Sequence, residues 1–128
     1  LTGAQAQQQA VAAAKAGIEA ALSYSPENLD QDLANAKSHL TGQFLDYYSD
    51  FTAKVVTPAA TQKGVKTEAN VARAAVSQMH PDKAEVLVFV NQVTTSRDRP
   101  TPALATSTVR VTMVKSGDRW LIAEFNPV

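Results

Sequence analysis

The sequence predicts an α+β domain, with helices packed on one face of a curved four-stranded antiparallel sheet. Three observations carry this. Up to about residue 63, apolar residues recur at steps of three and four, the period of a helix. From Val65 onward they form strand-type runs. Polar, proline- or glycine-bearing breaks then divide the second half into four consecutive strands, the pattern of a meander. At 128 residues the chain makes one domain of ordinary size, and there are no internal repeats.

"GAQAQQQAVAAAKAGIEAAL", residues 3–22, is rich in alanine and glutamine and free of proline, so it reads as a helix. Val11, Ala14, Ile18, Ala21 and Leu22 share one face, and the helix is expected to dock by its second half. Ser25 before Pro26 reads as the cap of the next helix, with Glu27 in its first turn. A strong stripe then runs through Leu29, Leu33, Ala36, Leu40, Phe44, Tyr47, Phe51 and Val55. Two helices, or one with a bend, are expected between about Pro26 and Lys63, with a cap at Thr41 and a weak point at Gly42. Pro58 should end or kink the main helix, and Gly64 suits a left-handed stop.

Val65–Met79 reads as a strand interrupted by bulges. "HPDK", His80–Lys83, fits a tight turn centred on Pro81 and Asp82. Ala84–Thr94 is apolar on both faces, which predicts a central strand. Ser96–Ala103 is a polar loop whose prolines keep it out of a ladder. Thr106–Val114 alternates Val109, Val111 and Met113 with polar residues. Gly117–Asp118 suits a primed hairpin turn leading to the last strand, Trp120–Phe125.

Composition excludes several kinds of chemistry. Without cysteine there are no disulfides, thiolate metal sites or cysteine nucleophiles. Twelve basic and twelve acidic residues cancel, which argues against a dedicated nucleic-acid binder. His39 and His80 lie far apart, with no second histidine at ligand spacing, so no metal site is expected. Phosphate loops, dinucleotide fingerprints and nucleophile elbows are missing from the sequence, and no cofactor or catalytic residue is assigned.

The densest chemistry is "LSYSPENLDQDL", Leu22–Leu33. Most of it reads as the corner between two helices; the alternative is a Tyr24–Asp32 acid–base pair facing a cavity. Tyr47 and Trp120 are further candidates for a pocket or for the core, with the Trp120 indole N–H expected at a wet rim. Arg97, Asp98 and Arg99 lie in the polar loop and are the candidate partner-contact residues.

Four segments, "LSYSPENLDQDLANAKSHLTGQF", "YYSDFTAKVVTPAA", "AEVLVFVNQVTT" and "TVRVTMVKSGDRWLIAEFNPV", together resemble the soluble extracytoplasmic domain of the Mce-associated membrane proteins. These are accessory factors of actinobacterial mammalian-cell-entry lipid import. The resemblance implies a cone like nuclear transport factor 2 or cystatin, and contacts with protein subunits of a lipid-transport complex. It also implies localisation at the plasma membrane: a single-pass anchor upstream of the chain, with the domain outside the cytoplasm. Residues 1–22 would then be a stalk-like helix and 23–128 the cone; the start at Leu1 rather than methionine fits a cut or processed chain. The helix's exposed alanine face offers a route to a homo-oligomer. Similar domains serve protein contacts in inner-membrane scaffolds of type IV secretion. Two functions follow. A non-enzymatic scaffold predicts a filled or narrow cone. A binder of small apolar ligands such as a lipid or sterol, or an isomerase-like enzyme, predicts a deep apolar pocket with polar groups such as Tyr24, Tyr47 or Asp32.

Overall fold

The computed structural model describes residues 3–128, so the first two residues of the expected N-terminal helix lie outside the described residues. Helix α1 spans Ala4–Ala21. A single 3₁₀ turn, Pro26–Asn28, leads into α2, Leu29–Lys37. Helix α3 spans Gly42–Phe51; a π-turn, Thr52–Val56, joins it to α4, Thr57–Lys63. Four strands follow, β1 Lys66–Met79, β2 Lys83–Thr95, β3 Ala103–Ser116 and β4 Arg119–Pro127. They form one antiparallel meander in the order β1-β2-β3-β4.

Helix α1 lies on the sheet by its small residues. Ala10, Ala14 and Ile18 are fully buried, so docking begins before the helix midpoint, while residues 3–9 stay largely exposed. Gly17 permits the approach, because a Cβ there would stand 2.7 Å from Ile122 Cδ1. The inward sets of the strands complete the core: Ala84, Val86, Val88 and Val90 of β2, Val109, Val111 and Met113 of β3, Ile122 of β4. β2 is central, yet only one of its apolar faces is covered by the chain: Phe89 and Val93 are 40% and 37% exposed on the other. Bulges fall between Val71 and Arg73 and between Val76 and Gln78, where small residues leave the ladder free to bend.

Each sheet edge is covered in part by chain at a helix end, which shortens the open template for further pairing. On β1, alternate N–H groups are taken up in sequence. Thr67 N–H bonds Tyr24 O (3.0 Å), Ala69 N–H bonds Ser23 Oγ (2.9 Å), and Val71 N–H bonds Glu19 Oε2 (2.9 Å). On β4, the break between α2 and α3 does the same work. Ile122 N–H bonds His39 O and Thr41 N–H bonds Ile122 O, both at 2.9 Å.

Several local expectations are corrected. Ser25 makes no side-chain cap; its N–H donates to Asp32 Oδ2 at 3.0 Å and its hydroxyl also turns to that carboxylate, at 3.5 Å. Thr41 likewise makes no side-chain cap; its backbone is held by β4, and Gly42 takes up the turn at φ 61°. Of the end or kink expected at Pro58, the end does not occur; the helix instead loses its regular α geometry just before it. Proline lacks the N–H that an α-turn would require, and the preceding π-turn carries the helix past it to Gly64. Gly64 is the left-handed stop, with Val65 N–H reaching back to Ala59 O at 3.3 Å.

The inward stripe also changes register after Phe44. Tyr48, Thr52, Val56 and Ala60 are buried, whereas Tyr47, Phe51 and Val55 are 62%, 38% and 50% exposed. Apolar residues occupy both three- and four-residue steps here, and the four-residue set wins. A strict four-residue repeat runs ahead of about 3.6 residues per turn, and one wide π-turn brings it back to the sheet.

Candidate functional site

The filled or narrow cone expected of a scaffold is not what the structure has: the cone is open. Between α3–α4 and the sheet lies a partly open cavity of about 690 Å³, within the roughly 300–1,000 Å³ of small-molecule sites. Its position follows from the sequence of β2: the inward set is valine as far as Val90, then becomes Gln92 and Thr94. Where the sheet stops presenting branched apolar side chains, the helices stand off it. Phe44 and Phe125 stack there, with centroids 5.1 Å apart and planes 6° apart. Tyr47 and Phe51 stack at 5.8 Å, and with Val55 they form an exposed apolar lip.

Tyr24 and Tyr47 both line this cavity; Asp32 and Trp120 do not. Asp32 is occupied at the helix corner by Ser25. It remains electrostatically linked to Tyr48, whose hydroxyl is pushed far above its usual range, first by burial, then by Tyr24 and by Asp32. Tyr48, which lines the cavity too, donates a buried 2.8 Å hydrogen bond to Ala21 O at the end of α1. Burial alone raises Tyr24. The Tyr24 hydroxyl has no hydrogen-bond partner among the described residues, although its backbone is fixed to Thr67.

Trp120 sits elsewhere in the core at 6% exposure. The indole N–H expected at a wet rim is instead buried without a partner, because Trp120 points to the same side of β4 as Ile122. Lys115 lies 5.9 Å from its ring centre. In the polar loop, Arg97 is committed to the end of α4. Its guanidinium bonds Gln62 O, its N–H bonds Lys63 O at 3.1 Å, and its stem packs on Gly64. Asp98 and Arg99 are exposed, and the Arg99 N–H closes a local turn on Ser96. The loop crowns a β2–β3 arm whose residues 103–107 are exposed on both faces, with Leu104 the most open apolar side chain there at 78%.

Among the described residues no three His, Cys, Asp or Glu side chains gather as a metal site. No helix among them is long and apolar enough to cross a membrane. The cavity lining contains no lysine, arginine or histidine, and one carboxylate, Glu124, which accepts a long 3.5 Å bond from Thr112. Sequence reasoning missed the outward turn of Phe51 and Val55, and it missed Gln92 and Thr94. The switch from valine to polar residues along the inward face of β2 was the signal that marks them.

No family model matches the chain. It is 58% identical over 127 residues to "Uncharacterized protein Rv1362c" of Mycobacterium tuberculosis, covering 99% of this chain but only 58% of that protein's length. It is 46% identical over 126 residues to "Outer membrane protein Rv1973" of the same species, covering 98% of this chain and 78% of that one. Among solved structures, an IcmL-like type IV secretion system protein from Legionella pneumophila superposes with a TM-score of 0.76 at 11% identity, covering 100% of this chain and 96% of that one. VirB8 from Agrobacterium tumefaciens gives 0.74 at 11% identity, covering 100% and 95%. An Ntf2-like protein involved in plasmid conjugation gives 0.60 at 13% identity, covering 94% and 48%. At these identities the likeness is one of fold, and the fold is that of nuclear transport factor 2.

Proposed function

The chain belongs to the family of the mycobacterial proteins Rv1973 and Rv1362c, and we propose that it is a non-enzymatic interaction domain of a cell-envelope machine. The observation that carries this reading is the uncovered outer face of the sheet. A strand with one solvated face ordinarily alternates apolar and polar residues. Here Phe89, Val93 and Leu104 are apolar and open, on and beside a hairpin arm that extends past the core. Val93 and Leu104 are direct cross-strand partners, so they make one continuous patch. Such a patch on an exposed arm suits contact with another protein. The likeness in fold to an IcmL-like protein, whose name places it in a type IV secretion system, and the name "Outer membrane protein" of one relative, are in keeping with an envelope setting.

The finer proposal is that the partners are subunits of a lipid-import complex, as for Mce-associated proteins. An anchor preceding residues 1–22 would hold the 23–128 cone outside the cytoplasm. Pairing of two copies through α1 would have to use its Ala12–Ala16 side, since Ala10, Ala14 and Ile18 already face the sheet. Co-purification from membranes tests the scaffold reading: the tagged full-length protein should bring down transporter subunits. Leu104→Glu, at an exposed position, should lose them while leaving the domain folded. Recovery of no subunit by the native protein at normal abundance counts against the proposal.

A further inference from the structure

We infer that the cavity between α3–α4 and the sheet is a binding site for a small neutral amphiphile, an apolar chain or ring system ending in a hydroxyl or carbonyl group. Size, lining and charge each narrow the ligand class. The volume, about 690 Å³, is that of a small-molecule site rather than of a packing defect. Phe44, Phe125 and the Tyr47–Phe51–Val55 lip supply the apolar contact, and that lip is exposed until something covers it. The lining also holds neutral donors and acceptors. Thr67 and Thr94 share a 3.0 Å hydroxyl–hydroxyl bond, and the half-buried Tyr24 hydroxyl is left without a protein partner.

The decisive feature is what the lining omits. With no lysine, arginine or histidine there is nothing to neutralise a carboxylate or phosphate head, and burying an unpaired anion is strongly unfavourable. The single carboxylate, Glu124, is exposed, so it offers an ammonium head only a solvent-screened partner. An uncharged head that both donates and accepts hydrogen bonds fits Tyr24 and the threonine pair.

The test is calorimetric titration of the folded chain with three probes of equal chain length, each below its micelle concentration: monolauroylglycerol, laurate and dodecyltrimethylammonium. Monolauroylglycerol should bind saturably, at least about tenfold more tightly than either charged probe. Phe51→Glu and Val55→Glu, both at solvent-exposed positions, should weaken it by about tenfold or more with the circular dichroism spectrum unchanged. Tyr24→Phe should narrow the preference for the neutral probe over laurate. Laurate binding as tight as the neutral probe overturns the inference, and so does saturable binding untouched by the lip substitutions. Failure of all three probes to bind also overturns it; loss of co-purified subunits in the lip variants would then mark the groove as a protein contact. Leu104→Glu should leave ligand binding intact, so the fate of this site and that of the scaffold reading are read separately.

Discussion

Tyr48 shows how a single hydroxyl ties the cavity wall to the rest of the molecule. It bonds Ala21 O in a buried setting, and burial holds the phenol neutral to well above its ordinary range. Tyr48→Phe leaves that carbonyl unsatisfied and should cost about 1–2 kcal/mol in urea unfolding. His39 gives a pH signature. Desolvation, then Arg119, lowers its pKa below the ordinary 6.5. The unfolded chain therefore takes up the proton first. The His39 contribution is complete above about pH 6.5 and is lost as pH falls toward the lower folded value. The urea midpoint should drop between pH 7.5 and pH 5, and it should drop less in His39→Gln or Arg119→Gln. Equal drops in all three proteins would remove His39 as the cause.

At the scale of elements, the tests fall on edges and ends. Glu19→Ala leaves the Val71 N–H on the β1 edge without its charged acceptor and should destabilise by about 1–3 kcal/mol. Gly64→Ala meets two penalties, a left-handed backbone at φ 65° and a Cβ 2.9 Å from Arg97 Cγ, and should cost about 1–2 kcal/mol. Elements were legible where one period dominated. The α1 helix, the bulged β1, the hairpin turn at Gly117 and the stop at Gly64 all announce themselves locally. The stripe from Phe44 was ambiguous, because Tyr47 and Tyr48, Phe51 and Thr52, and Val55 and Val56 offer two registers. Only packing against the sheet chooses between them. The Ser25 cap failed for a similar reason: Asp32, seven residues on, accepts from the Ser25 N–H and hydroxyl and draws that side chain away from the helix start. The use of Glu19, Ser23 and Tyr24 to cover part of a sheet edge depends on contacts 43 to 52 residues apart, which no local pattern carries.

At the scale of the whole molecule, one chain presents two different surfaces. The inner side of the cone carries a largely apolar cavity without a basic residue in its lining; the outer side of the sheet carries an uncovered apolar patch leading onto the β2–β3 arm. The helix-then-meander order was readable because the period changes once, near residue 65. The open cone was not, since a cavity is a failure of facing elements to meet and belongs to neither alone. The scaffold reading rests on the outer patch, and site-specific photocrosslinking in the full-length protein tests it most directly. A photoreactive residue at Leu104 or Val93 should join the protein to another envelope subunit, while the same group at Gln31, exposed on α2, should not. No adduct at Leu104 or Val93, or equal adducts at Gln31, would contradict the account.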